Sequence, residues 1–172
     1  MNFEQLRQEL IAEEGREKKA YRCTAGKLTA GIGRNIEEVE FTDDEIELMF
    51  STDYQRVRAD LPSIFPNFHK WPQELQHIVF NMRFQLGPKR FRGFKKLIAA
   101  AQKLDLAAME KEMADSVWAK DKKRGTPERA KRLIERVKKL RLGWRVQMLP
   151  EVQRKRNFFG LDGGFGESLP GV

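Results

Sequence analysis

The chain has 172 residues, 40% apolar and 34% charged, with 33 Lys/Arg against 25 Asp/Glu and a net charge of +8. That is enough apolar material for one ordinary domain, or for two small lobes that share a core. No run approaches 18 apolar residues, which excludes a transmembrane helix, and Met1-Asn2-Phe3-Glu4 opens a charged amphipathic stretch where a secretion signal would need cationic and apolar regions. Cys23 is the only cysteine, so no internal disulfide framework and no Cys cluster for zinc is expected, and His69 and His77 are not at ligand spacing. The charge is uneven. Residues 1–40 hold seven Lys/Arg and eight Asp/Glu, whereas 120–141 hold eleven and three. Such a patch expects an anionic partner: nucleic acid, an acidic membrane surface or an anionic wall polymer.

In chain order, Phe3, Leu6 and Leu10 fall at helical spacing with Ile11 beside them, and Gly15 is a natural stop, which predicts a helix over 3–14. From 20 to 36 the pattern turns to short apolar runs around Ala25-Gly26, with Gly31 and Gly33 beyond, which predicts a small antiparallel sheet. Thr42-Asp43-Asp44-Glu45 is a capping box and should open a helix to about Leu61, with Pro62, Pro66 and Pro72 breaking the chain after it. Trp71-Pro72 starts a helix with the stripe Leu75, Ile78, Val79, Met82 and Leu86, ended by Gly87-Pro88. Further helices are expected from Phe94 to about Lys103 and from Leu106 to about Trp118. Thr126-Pro127 then caps a last one, whose buried face is Ala130, Leu133, Ile134, Val137 and Leu140. After Trp144 the pattern fades, and the glycine-rich 158–172 reads as a mobile tail. The sum is a mostly helical α+β protein.

Three residues near the N-terminus carry potential chemistry. Glu14 lies one turn past Leu10, at the helix C-terminus and on the side expected to face the core. A carboxyl so placed suits a general acid, or is simply a solvated helix-end glutamate. Cys23 and Thr29 follow in the predicted hairpin, where a thiol and a hydroxyl can hold a water. The alternatives are a small buried filler for Cys23 and an ordinary strand residue for Thr29. Gly31-Ile32-Gly33 lacks the third glycine and the Lys-Ser/Thr of a phosphate loop, so a tight turn or a close backbone approach is the better reading.

Glu14, eight residues, Cys23, five residues, Thr29, with Gly31-Ile32-Gly33 following, resembles the catalytic segment of the phage-type, T-even-like lysozymes, family 24 of the glycoside hydrolases. Their pattern is Glu, eight residues, Asp or Cys, five residues, Thr. Asn81-Met82-Arg83-Phe84-Gln85-Leu86-Gly87 is similar to the family's Asn-x-x-Phe-Gln-x-Gly, Gly93-Phe94 follows at family spacing, and Trp118 matches a tryptophan beside the cleft. Thr126-Pro127-Glu128-Arg129-Ala130-Lys131-Arg132 resembles T-P-x-R-A-K-R, so the similarity spans roughly 3–144.

The resemblance implies a lysozyme-like fold. A small β lobe, about 15–42, would join a helical-bundle lobe, about 60–144, which takes in the helix 3–14, with the cleft between them. Residues 145–172 would be a C-terminal extension. It implies Glu14 as general acid, Thr29 holding the attacking water or lining the space where it sits, and Cys23 where many relatives have Asp. Arg129 would pair with Glu14 across the cleft. Asn35 and Phe84 would contact glycan, with Phe84 equally readable as a core aromatic. Gln85, Trp118 and Asn81 would support them, Asn81 sharing a helix face with Gln85.

Three departures from the family follow. The second carboxylate is absent, so the two-carboxylate account of glycoside hydrolysis does not apply unmodified. Arg34 stands where relatives often carry His, and an Arg34–Asp53 ion pair would replace the family's His pair. The stretch from Asn35 to Thr42 is short, which should trim the small lobe and open the cleft.

The implied activity is that of a muramidase cutting β-1,4 bonds between N-acetylmuramic acid and N-acetylglucosamine in bacterial peptidoglycan during phage-type host lysis. The expected protein is a monomer without cofactor, held in the host cytoplasm, released through a holin-like pore and acting in the periplasm. Segment 120–141 would contact an acidic membrane. Two other classes stay open: a non-catalytic cationic glycan- or membrane-binding descendant, and, ranked low, a nucleic-acid-binding helical domain.

Overall fold

In a computed structural model of the chain, residues 1–148 are described, the last four by backbone alone. The helix α1 (Phe3–Glu14) begins where the Asn2 side chain accepts the Gln5 N–H at 3.2 Å, and ends where the Gly15 N–H reaches the Ile11 carbonyl at 3.0 Å. The sequence expectation for this helix holds residue for residue. Its burial does not: Phe3, Leu6 and Leu10 are 74%, 40% and 48% exposed, and Glu14 is exposed with them. A 3.6-residue period reports that a helix is amphipathic, and it does not report how completely the stripe is covered.

Three short strands follow, β1 (Glu17–Arg22), β2 (Leu28–Gly31) and β3 (Arg34–Asn35), as an antiparallel sheet in chain order. Tyr21 opposes Thr29, and Thr29 opposes Asn35, so these three share one sheet face. A register shift between Glu17 and Tyr21 bends β1.

The helix α2 (Asp43–Ile64) opens with the predicted capping box realised: Thr42 Oγ1 accepts the Glu45 N–H at 3.3 Å, and Glu45 Oε2 accepts the Thr42 N–H at 2.8 Å. It runs past the expected end at Leu61 and takes in Pro62. A proline in the last turn removes one ladder donor, while the Phe65 N–H still bonds the Leu61 carbonyl at 2.8 Å and both side chains are buried. A 3₁₀ turn (Phe68–Lys70) leads to α3 (Gln73–Arg92). The helix breaks at Gly87 (φ 72°, ψ 169°), where only glycine sits without strain, and Pro88 restarts it for one more turn. The expected stop at Gly87-Pro88 is therefore an interruption.

Next come α4 (Lys95–Gln102), α5 (Leu106–Ala114) and α6 (Val117–Lys120). The single helix expected from Leu106 to Trp118 is split because Ser116 caps a new one: its hydroxyl bonds the Met113 carbonyl at 2.7 Å and the Ala119 N–H at 3.2 Å. The last helix, α7 (Pro127–Met148), starts at the predicted proline and continues past Trp144. Ala130, Leu133 and Val137 are buried as its stripe predicts, with Ile134 and Leu140 partly so. The glycine-rich tail read from the sequence lies outside the described residues.

Among the described residues two compact units result, 1–52 and 53–148. The second holds a core of α2, α3, α4, α5, α6 and α7 side chains, with Leu61, Leu75, Met113 and Val137 fully buried. Inside it Asp60 of α2 meets two arginines of α3. Arg83 Nε donates to Asp60 Oδ2 at 2.6 Å from a site only 6% exposed, and Arg92 pairs with Asp60 from the surface side. Burial raises the Asp60 carboxyl, and the hydrogen bonds from Arg92 and Arg83 more than reverse it, so it sits below the usual carboxylate range.

Candidate active site

In the first unit Glu14 ends α1 just before the chain turns into β1. The turn between β2 and β3 comes back against it. A Cβ on Gly33 would overlap the Glu14 carboxyl, and Gly33 itself has φ +64°. Glycine is required there twice, for its backbone angle and for the space the carboxyl occupies. The sequence signalled a tight turn at Gly31-Ile32-Gly33 but not its partner, because a contact across 19 positions leaves no local pattern.

Cys23 sits in the β1–β2 turn, half-buried, its N–H bonded to the Lys27 carbonyl at 3.0 Å and its own carbonyl to the Gly26 N–H at 2.8 Å. The Thr29 hydroxyl beside it is the main reason the thiol lies below its ordinary value. Backbone hydrogen bonds from the Lys27 and Ala25 segment add to this, against a smaller effect of burial. Thr29 is the only buried residue of the first unit, 4% exposed, and its Oγ1 lies 3.2 Å from the Lys27 carbonyl. The Cys23 thiol is thus half-buried in the turn among polar neighbours.

Surface pairs hold this turn. Arg22 Nη1 donates to the Gly26 carbonyl at 2.6 Å and to Glu37 at 3.0 Å, and Lys27 pairs with Glu38. A backbone hydrogen bond from Leu28, then the Arg22 guanidinium, keep the Glu37 carboxyl low. Each pair is exposed and contributes little stability alone, but together they fix the loop that carries Cys23.

Asn35 lies across β2–β3 from Thr29, with Nδ2 on Glu38 Oε2 at 3.0 Å and Oδ1 on the Glu37 N–H at 3.1 Å. One side-chain N–H stays available for a ligand. Arg34 departs from expectation. Its guanidinium pairs with Glu45, reaches the Glu40 carbonyl at 2.9 Å and stacks over the Phe41 ring at 5.0 Å. Asp53 pairs with Arg56 one turn along α2, at 2.8 Å. The capping-box glutamate is nearer in sequence and already fixed, so it takes the arginine that was assigned to Asp53.

In the second unit Gln85 bridges two elements: its Nε2 donates to Thr126 Oγ1 at 2.8 Å, and its Oε1 accepts the Trp118 indole N–H at 2.7 Å. Trp118 is 2% exposed and belongs to the core of this unit. Arg129 Nε donates to Asn81 Oδ1 at 2.8 Å. Asn81 and Gln85 therefore do not form the polar pair their shared helix face suggested, because each has a stronger long-range partner. Phe84 is half-buried and packs on the core, which favours the core-aromatic reading while leaving part of the ring accessible.

A family model described as phage lysozyme matches residues 12–139, three-quarters of the chain. The chain belongs to the phage lysozyme family. No curated relative matches it. As a phage lysozyme it is a peptidoglycan-degrading glycoside hydrolase, and the matched span contains the Glu14, Cys23 and Thr29 segment as well as Arg129. Among the described residues no helix is long and apolar enough to cross a membrane.

Proposed function

We propose that the protein is an N-acetylmuramidase that cleaves the β-1,4 bond between N-acetylmuramic acid and N-acetylglucosamine, with Glu14 as general acid. One observation carries the reading: the Glu14 carboxyl is seated against the Gly33 backbone while Cys23 and Thr29 meet in the adjoining hairpin. Glu14 donates its proton to the glycosidic oxygen as the C–O bond breaks. Thr29, with Cys23, orients the water that attacks the anomeric carbon. A lowered thiol can also place a thiolate's negative charge near the oxocarbenium-like centre, the task a second carboxylate performs elsewhere. Asn35 and Phe84 would bind the glycan. The proposed setting is host lysis by a monomer that waits in the host cytoplasm and passes a holin-like pore to the periplasm.

The test compares wild type with Glu14→Gln on purified peptidoglycan, with products read by mass spectrometry. General-acid loss should cut turnover by about 10³-fold. Wild-type products should end in reducing N-acetylmuramic acid. Anhydro ends would replace the hydrolytic reading with a transglycosylase. In a parallel assay on outer-membrane-stripped Gram-negative cells, equal clearing by both proteins without products would favour the non-catalytic cationic descendant.

A further inference from the structure

The sequence places the basic excess in 120–141, but the structure adds to it from elsewhere. Residues 89–96 carry five Lys/Arg and no acid, and 120–124 carry four with one Asp. The two meet at one end of the helical unit, where Arg90 Nη2 donates to the Arg124 carbonyl at 2.6 Å. A groove of about 610 Å³ beside residues 89–96 is lined by Arg90, Lys95 and Lys96 on one side and by Glu112, Asp115 and Val117 on the other; Asp115 is paired with Lys120 at 3.0 Å.

The loop between α6 and α7 is built to present its charges. Asp121 Oδ1 accepts the N–H of Lys123 at 2.9 Å and of Arg124 at 3.1 Å, while its Oδ2 takes Arg124 Nε at 2.6 Å. The Thr126 N–H returns to the Trp118 carbonyl at 3.0 Å. With the backbone so tied, Lys122 and Lys123 project from a rigid tip. Lys89, Lys95, Lys96, Lys122 and Lys123 are all exposed, and none has an ion pair among the described residues. Val117, 53% exposed, supplies an apolar point beside them.

We propose that this composite surface, the α6–α7 loop together with residues 89–96, docks the protein on the phosphate-bearing face of an anionic phospholipid bilayer. A nucleic-acid strand is a poorer fit. Sequence-tolerant binding of single strands uses open aromatic faces, and the aromatics here, Phe94 and Trp118, meet edge to face at 87° with Trp118 buried. A planar array of phosphates needs only outward cations and a small apolar foothold. The surface is built wholly from residues of the second unit and uses none of Glu14, Cys23 and Thr29, so the proposal does not depend on the bond specificity.

The experiment is co-sedimentation of the full chain with phosphatidylcholine vesicles, with and without phosphatidylglycerol. Wild type should bind only the anionic vesicles and release at high salt. Each lysine near the surface contributes about fivefold, so the double variant Lys122→Glu/Lys123→Glu should lose about 25-fold or more. Lys95→Gln/Lys96→Gln should lose a comparable factor without charge reversal. The pair Lys138→Glu/Lys139→Glu, on the exposed face of α7, should lose far less, and hydrolysis of soluble, uncross-linked peptidoglycan chains should be unchanged in the loop variant. Undiminished binding by both the loop and the 95–96 variants would overturn the proposal, as would an equal loss in the α7 variant. Tighter binding of a single-stranded oligonucleotide than of vesicles at equal phosphate concentration would overturn it in favour of nucleic acid.

Discussion

Among the described residues, every buried hydrophobic side chain lies at or after Val57, whereas the unit 1–52 buries only Thr29. The second unit is held by apolar packing across six helices. The first is held by turn and hairpin hydrogen bonds, capping contacts and ion pairs at its surface, and it carries Glu14, Cys23 and Thr29. The proposed chemistry would thus be seated where local geometry, and not core volume, sets positions. Segments with few buried apolar contacts open most easily, so the first unit belongs to the low-stability end of the molecule.

Paired truncations test that contrast most severely. Met113→Ala should cost about 2–5 kcal/mol in denaturant unfolding, because Met113 is fully buried. Leu10→Ala, at a side chain 48% exposed, should cost under about 1 kcal/mol. Comparable losses from the two would mean that α1 is as much a part of the core as α5.

Arg83→Met sharpens the picture within the second unit. It removes a buried partner of Asp60 while Arg92 remains, and should cost about 2 kcal/mol at neutral pH. The pH dependence carries a definite sign. Asp60 is held below its unfolded value of about 3.9, so the unfolded chain takes up its proton first. The stabilisation is complete above about pH 5 and fades as pH falls through the folded value. Melting curves from pH 6 down to 2 should show wild type losing more than Arg83→Met. Parallel losses would remove Asp60 from the acid-sensitive set.

Gly33→Ala should cost about 1–2 kcal/mol from its positive φ and lower turnover further by displacing the Glu14 carboxyl. A normal kcat in this variant would show that the carboxyl's seat is not the Gly33 backbone. The smallest expected effect is at the thiol. Thr29→Val removes the main influence that lowers Cys23, so the pH profile of iodoacetamide alkylation should move upward. An unmoved profile would assign the lowering to the backbone of the turn.

What could be read from the sequence follows the same division. Caps and stops are written in neighbouring residues, and so α1, the Thr42–Glu45 box and the start of α7 at Pro127 are legible. The Glu14, Cys23 and Thr29 spacing is legible as a pattern, and the hydrogen bonding around Cys23 gives two of its members a shared environment. Misreadings arose where distant residues decide. Buried Leu61 and Phe65 carry α2 through Pro62, and Ser116 closes one helix and opens another. Glu45 takes Arg34, and Arg129 and Trp118 separate Asn81 from Gln85. Coverage of the α1 stripe was misjudged because periodicity marks a face and says nothing of what lies on it.

The Lys27 carbonyl receives both the Cys23 N–H at 3.0 Å and the Thr29 hydroxyl at 3.2 Å. A threonine has a single hydrogen to give. While Cys23 is protonated, that hydrogen rests on Lys27, and Thr29 offers its neighbour only lone pairs. To donate to a Cys23 thiolate, the hydroxyl would have to rotate away, leaving the carbonyl to the backbone N–H alone. The charge on one side chain is therefore recorded in the rotor state of another.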